Sequence, residues 1–270
     1  MAPPSLPGVP EELWTRAASA PHRLLLLDYD GTLAPFRVAR EEAFPLPGVT
    51  ERLERIAGAA RTTLALVSGR SVLELLRFLG GFRISIVGEH GWEARSPEGA
   101  LTSYPLPPGC AHALDLAAEA IRARGWAGRL ERKRSSLALH TRGLPETQAR
   151  EMEEEAARVW RSLAPEGLLQ LVPMSGGLEL RAIGLNKGTA VRALLAPCVP
   201  GTLPVALGDD ESDEDAFREV APKGFAVRVG PRRPSSFASA YLNSHEEVPV
   251  FLDTWLRRVE GSSGGLEGKA

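Results

Sequence analysis

Four consecutive leucines, Leu24-Leu25-Leu26-Leu27, run directly into Asp28-Tyr29-Asp30-Gly31-Thr32. A short apolar run with no polar face is a strand covered on both sides, and such strands belong to parallel sheets layered with helices. In open sheets of this kind, ligands bind outside the carboxyl ends of the strands. Two carboxylates therefore stand at the mouth of a buried strand. Residues two apart on a strand share a face, so Asp28 and Asp30 are expected to point into the crevice and Tyr29 away from it. Gly31 permits a turn that a Cβ would resist, and Thr32 offers a hydroxyl and a backbone N–H to an anion.

The plainer reading is an Asp-Gly turn closing a core strand. It leaves two like charges close together with nothing to relieve their repulsion. A hard divalent cation with oxygen ligands relieves it, and Mg²⁺ is the usual choice where phosphate completes the shell. Asp28 is then free to attack phosphorus as a nucleophile. Asp30 would hold a proton for the leaving oxygen and later take one from water.

The rest of the chain supports a layered α/β fold, a Rossmann-like parallel-sheet core with an inserted α+β cap. Strand-like segments at 62–67 and 84–87 alternate with helical ones at 49–59 and 71–79. Three prolines and a glycine within 104–109 then break the rhythm. Helices at 111–124 and 145–163 with strands at 128–134, 136–141, 168–172 and 178–182 make a small α+β lobe. Alternation resumes with helices at 187–195, 213–220 and 246–259 and strands at 203–207, 226–229 and 241–242. The expected division is core over 1–106, cap over 107–183, core again over 184–260, and a mobile tail over 261–270.

Composition narrows the function classes. A net charge of −2 gives no electrostatic case for nucleic acid or an anionic membrane. No run approaches the ~18 apolar residues of a membrane span, and the first ten residues lack the pattern of a secretory signal. Two distant cysteines, Cys110 and Cys198, fit a reducing compartment without disulfides. A cytoplasmic monomer acting on a small molecule is the expectation.

Three further constellations stand at strand ends or helix starts. Gly208-Asp209-Asp210-Glu211-Ser212-Asp213-Glu214-Asp215 follows the strand at 203–207. Ser212 as a helix cap, with Asp215 as a weak capping-box partner, explains the later residues. Asp209 and Asp210 precede the helix and are better explained by a metal, with Asp213 of the same cluster counted among the candidate ligands. Ser68-Gly69-Arg70 joins a strand to a helix, where hydroxyl and backbone donors hold phosphate. Alone it reads as a helix cap and turn. Asn186-Lys187-Gly188 begins a helix, and Lys187 offers a point charge for phosphate and a counterion for Asp28.

Taken in order, these groups supply nucleophile, acid/base, phosphate cradle, charge neutraliser and metal site. That order resembles the haloacid dehalogenase-like phosphatases. Val87-Gly88-Glu89-His90-Gly91, Glu131-Arg132-Lys133, Leu137-Ala138-Leu139-His140-Thr141-Arg142, Leu178-Glu179-Leu180-Arg181 and the 208–217 stretch look more narrowly like the trehalose-6-phosphate phosphatases. The resemblance implies Mg²⁺-dependent hydrolysis of trehalose 6-phosphate through an aspartyl-phosphate on Asp28. It implies Ser68 and Lys187 as phosphate contacts, and Asp28, the Asp30 carbonyl and Asp209 as metal ligands. It also brings the loop Glu89, His90 and Gly91 near the site. Ser212, Thr141 and Ala182 stand where threonine, an aromatic and proline are usual in that family.

A disaccharide presents hydroxyls and no charge beyond its phosphate, so its recognition needs polar groups at fixed positions. Glu131, Lys133, His140, Arg142 and Glu179 are the candidates in the lobe, with Thr32 and Arg70 in the core. Solvated strand residues are the plainer reading of the first five. The helix at 145–163 carries Glu151, Glu153, Glu154 and Glu155, expected as a solvated face. Alternatives are a phosphatase of another sugar phosphate, such as sucrose phosphate or mannosyl phosphoglycerate, a phosphomutase, or a non-catalytic regulatory domain. The last should have lost one of Asp28, Asp30, Lys187 or Asp209, and all four are present.

Overall fold

The computed structural model describes residues 6–81, 83–164 and 166–260. The tail expected over 261–270 lies outside the described residues. The chain divides into two compact units. One comprises residues up to Thr102 together with those from Asn186 onward, and the other runs from Ser103 to Leu185.

The first unit opens with α1 (Glu11–Ser19), β1 (Arg23–Leu27), α2 (Val49–Gly58), β2 (Thr62–Val67), α3 (Val72–Leu79), β3 (Ser85–Gly88), β4 (Glu93–Arg95) and, at the seam, β5 (Leu101–Ser103). The second unit follows as α4 (Cys110–Arg122), β6 (Leu130–Arg132), β7 (Ser136–His140), α5 (Glu146–Leu163), β8 (Leu169–Met174) and β9 (Gly177–Ala182). The chain then returns to the first unit as α6 (Lys187–Leu195), β10 (Leu203–Gly208), α7 (Asp213–Val220), β11 (Phe225–Val229), β12 (Ala240–Leu242) and α8 (Val248–Glu260).

The first unit is built on an eight-stranded sheet in the order β12-β11-β10-β1-β2-β3-β4-β5. β1 lies between β10 and β2, parallel to both, with Leu25 opposite Val205 and Leu64. The leucine run is explained by alternation across this sheet. Leu25 and Leu27 pack with α1, α2, α3 and α8 on one face, while Leu24 and Leu26 pack with α6 and α7 on the other. All four are buried. Each buried leucine is worth about 1.5–3 kcal/mol relative to exposure, so the run from Leu24 to Leu27 can be wholly apolar only because both faces are covered.

Two features were not anticipated. Helix α1 packs on α8 through Trp14 and Phe251, with ring centroids 4.9 Å apart. β4 runs antiparallel to β3, and its partner β5 completes the sheet edge. Both added strands are three residues long, too short for alternation to declare itself.

In the second unit the strand order is β6-β7-β9-β8, antiparallel throughout. Leu137 and Leu139 share a face with their partners Leu180 and Leu178, and all four are buried. Trp160 of α5 donates from Nε1 to the Ala117 carbonyl of α4 at 3.2 Å, tying the two helices together. The opposite sheet face carries Glu131, Ala138 and Glu179 in register. The expectation of a solvated glutamate face on α5 is corrected at Glu153, whose carboxylate accepts from the Thr141 hydroxyl at 2.5 Å. Glu155 stays solvated as expected, accepting from Arg124 at 2.8 Å in an exposed pair.

Candidate active site

Asp28 is the first residue beyond β1, and its N–H still donates to Leu207 at 3.0 Å. The ladder thus delivers a buried carboxylate to the end of the central strand. Lys187 is the first residue of α6. That start is locked by Asn186, whose side chain accepts from the Thr189 N–H at 2.8 Å while its own N–H donates to the Thr189 hydroxyl at 2.9 Å. From there Lys187 Nζ donates to Asp28 Oδ1 at 2.6 Å and to Asp213 Oδ1 at 2.7 Å.

Asp213 has a second task. Its Oδ2 accepts the N–H groups of Asp209 and Asp210 at 3.1 and 3.0 Å. The capping expected of Ser212 is absent, because Ser212 already has helical dihedrals and makes no side-chain cap bond. Asp213 turns back over the loop instead. Asp28, Asp209 and Asp213 thereby each present a carboxylate oxygen within 4.8 Å of the others.

One ammonium faces three carboxylates. Burial, and then Asp213 and Asp30, push the Asp28 carboxyl up to about 8 against the pull of Lys187. Burial, and then Asp28, Asp213 and Asp210, drive Asp209 well above the usual carboxylate range. Lys187 is lowered by burial but raised further by Asp213 and Asp28, so it keeps its proton. Asp209 Oδ1 is buried with no hydrogen-bond partner. An unsatisfied oxygen in an all-oxygen, electron-rich cluster is the donor set of a hard divalent cation.

Gly31 completes this floor. It adopts φ +79°, and a Cβ there would strike the Asp209 carboxylate. Gly31→Ala is expected to cost at least about 1 kcal/mol of stability from the left-handed backbone alone. A urea midpoint equal to that of the parent would show that the turn relaxes freely.

Other candidates lie nearby with different partners. Asp30 does not share the cluster. Both its oxygens are held by Arg70, from Nε and a terminal nitrogen at 2.7 Å each, beyond the end of β1 at Leu27. Arg70 is buried, donates also to the Arg40 carbonyl at 3.1 Å, and lies over the rings of Tyr29 and Phe78. Expected as a substrate contact, it is bound to Asp30. Tyr29 points away, as expected, with its hydroxyl on the Ala43 carbonyl at 2.7 Å.

Ser68 is buried and accepts from the Arg70 N–H at 3.2 Å. The buried Thr32 hydroxyl has no partner. Glu89 and His90 are non-glycine residues at φ +45° and +57°, a conformation that costs energy and concentrates at functional sites. Backbone bonds from Glu89 to Arg70 and from His90 to Ser68, both 2.9 Å, hold the loop with Gly91 against the Ser68 turn. Asp210 lies outside the three-carboxylate cluster, its Oδ1 accepting from the Glu211 N–H at 2.8 Å.

In the second unit, Glu179 accepts from Lys133 at 3.2 Å and from the Ser136 hydroxyl at 2.7 Å. His140 Nε2 lies 2.9 Å from Glu131 Oε2. These four candidates share one sheet face. Arg142 is set apart from them, donating to the carbonyl of Ser175 at 2.6 Å in the β8–β9 turn.

One pair escaped the sequence reading. Arg228 and Glu214 are both buried, and Arg228 donates to Glu214 at 3.1 Å and to the Asp209 carbonyl at 2.5 Å. The available signal was a lone arginine inside the otherwise apolar β11.

A doubly covered parallel sheet with a carboxylate at the end of its central strand, a lysine beside it and an acidic loop on the next strand defines the haloacid dehalogenase-like class. The trehalose-phosphatase family model matches residues 26–247. The chain belongs to that family. It is 30% identical over 208 residues to the trehalose-6-phosphate phosphatase of Escherichia coli, covering 75% of this chain and 76% of that protein. It is 34% identical over 223 residues to a bifunctional trehalose-6-phosphate synthase/phosphatase of Thermoproteus tenax, covering 82% of this chain but only 30% of that longer protein. The fold is shared with the C-terminal domain of the Candida albicans trehalose-6-phosphate phosphatase, at a TM-score of 0.81 and 22% identity, covering 96% of this chain and 98% of that one.

Proposed function

We propose that this chain hydrolyses trehalose 6-phosphate to trehalose and inorganic phosphate by way of an aspartyl-phosphate on Asp28. The observation that carries the reading is Asp28 itself, a buried carboxylate at a strand end with Lys187 at 2.6 Å and the unpartnered oxygen of Asp209 in the same cluster. Asp28 attacks phosphorus, and the bond from phosphorus to the sugar oxygen breaks. Asp30 gives its proton to that oxygen. Asp30 then takes a proton from water, whose oxygen attacks phosphorus, and the Asp28 carboxylate leaves with both its oxygens intact. Lys187, Ser68 and Thr32 hold the phosphoryl oxygens, for which the buried Thr32 hydroxyl has a vacant bonding capacity.

Asp30 must first leave the fork of Arg70. While that bidentate pair stands, both carboxylate oxygens are occupied by the guanidinium and neither can face a leaving group.

Asp28 and Asp209 would hold Mg²⁺, while Asp213 positions them, since its two oxygens are already taken by Lys187 and the loop amides. When bound, the cation supplies charge neutralisation for the phosphoryl oxygens. Removing it is expected to abolish turnover.

The sugar would be read by the polar sheet face of the second unit, where Lys133 and Ser136 fix the Glu179 carboxylate as a hydroxyl acceptor. Phosphate release from trehalose 6-phosphate, glucose 6-phosphate, sucrose 6-phosphate and an aryl phosphate tests the reading. Preference for trehalose 6-phosphate supports it, whereas preference for another member keeps the phosphatase and displaces the substrate. Glu179→Ala is expected to lower kcat/KM for trehalose 6-phosphate by about 10²-fold or more, since a buried hydroxyl partner is lost. The aryl phosphate should change by less than about threefold. Equal losses on both substrates would sink sugar recognition by Glu179.

A further inference from the structure

We infer that Arg228 and Glu214 are positioning residues that set Asp209 for cation binding, an inference that rests on the proposed metal site. Asp209 is fixed through both of its peptide groups. Its N–H is held by Asp213 Oδ2 at 3.1 Å and its carbonyl by the Arg228 guanidinium at 2.5 Å. Its side-chain Oδ1 is left buried and unpartnered. The backbone is clamped and the ligand oxygen is vacant.

Arg228 reaches this carbonyl because β11 runs beside β10 with Arg228 opposite Gly208, one residue before Asp209. The rest of the guanidinium is spent on Glu214 Oε1 at 3.1 Å and the Pro231 carbonyl at 3.1 Å. Glu214 lies in the first turn of α7 and is itself held by the Ser236 hydroxyl at 2.7 Å and the Phe237 N–H at 2.9 Å. One ion pair thus fastens the 208–213 loop to the neighbouring strand, to its own helix and to the following loop.

A buried ion pair is poor value as stabilisation, because the desolvation of both charges offsets their attraction. Apolar residues would fill β11 at least as well. What an arginine adds here is a rigid fork that spans a carboxylate and two carbonyls at fixed angles. Groups of this kind outside the ligands orient a metal site, and their loss typically costs 10–100-fold in affinity. Asp213 alone would leave the Asp209 carbonyl side of the loop free to rotate.

The test is Mg²⁺ binding to the purified full chain by titration calorimetry, with thermal melts in chelator as a measure of folding. Arg228→Met is expected to weaken the Mg²⁺ Kd about 10–100-fold. Its kcat at saturating Mg²⁺ should stay within about threefold of the parent, because no reacting atom is touched. A folded Arg228→Met protein with the parent's Kd overturns the inference, as does a lower melting temperature with Kd unchanged, the mark of a purely structural pair. If Arg228→Met does not fold, Arg228→Lys is read the same way. It keeps the buried charge opposite Glu214 but has no fork to span the carbonyls. A parent chain that binds no Mg²⁺ would instead remove the metal site, and this inference with it.

Discussion

An Asp28→Asn protein folds and releases no phosphate from trehalose 6-phosphate. The amide has the shape of the carboxylate but no charge with which to attack phosphorus, and the carboxylate two residues on, Asp30, has both oxygens held by Arg70. The loss is expected to be at least about 10⁴-fold in kcat, the scale on which removal of a covalent nucleophile is felt. Burst release or residual turnover above about one part in 10³ would take Asp28 out of that role.

The same substitution has a stability signature. The folded carboxyl of Asp28 titrates at about 8, against an ordinary value of 3.8. Between those values the folded protein carries a proton that the unfolded chain has lost. Its contribution to stability is therefore present in acid and is lost as pH rises through about 8. Asp209 is shifted in the same sense. Metal-free parent protein should melt lower at pH 8 than at pH 5 by more than Asp28→Asn does.

Withdrawal of divalent metal should be nearly as damaging, with activity falling at least about 10³-fold in chelator and returning with Mg²⁺. Asp28, Asp209 and Asp213 crowd three carboxylates around one lysine, and a bound cation must displace the protons that burial and this crowding retain on Asp28 and Asp209. Mg²⁺ should raise the melting temperature more at pH 8 than at pH 5, since fewer protons then have to leave. Full turnover in chelator, or a melting increment that shrinks with rising pH, would contradict the proposed cation site.

Much of this was legible in the residues. A leucine run with no polar face demands helices on both sides, and Lys187 at a capped helix start was legible as a counterion for Asp28. Two kinds of feature were not. β4 and β5 are too short to show a period. Asp30 with Arg70, and Asp209 with Arg228, join residues that only the assembled sheet brings together, so no local spacing announces them. Asp30 illustrates the physical reason. Its neighbours in sequence suggest a free carboxylate, whereas a guanidinium forty positions away takes both its oxygens.

The position of β1 between β10 and β2 also bears on how the protein is made. A ribosome delivers β1 and β2 early, but β10 only after the whole second unit has emerged. At roughly 5–20 residues per second, the open side of the apolar β1 waits about 9–36 s for its partner. The second unit is continuous in sequence and built on a hairpin-rich sheet, so it completes its own contacts during that interval. Nascent chains stalled before Leu203 should therefore protect the Ser103–Leu185 unit from proteolysis while the leucine strand remains the segment most in need of a chaperone.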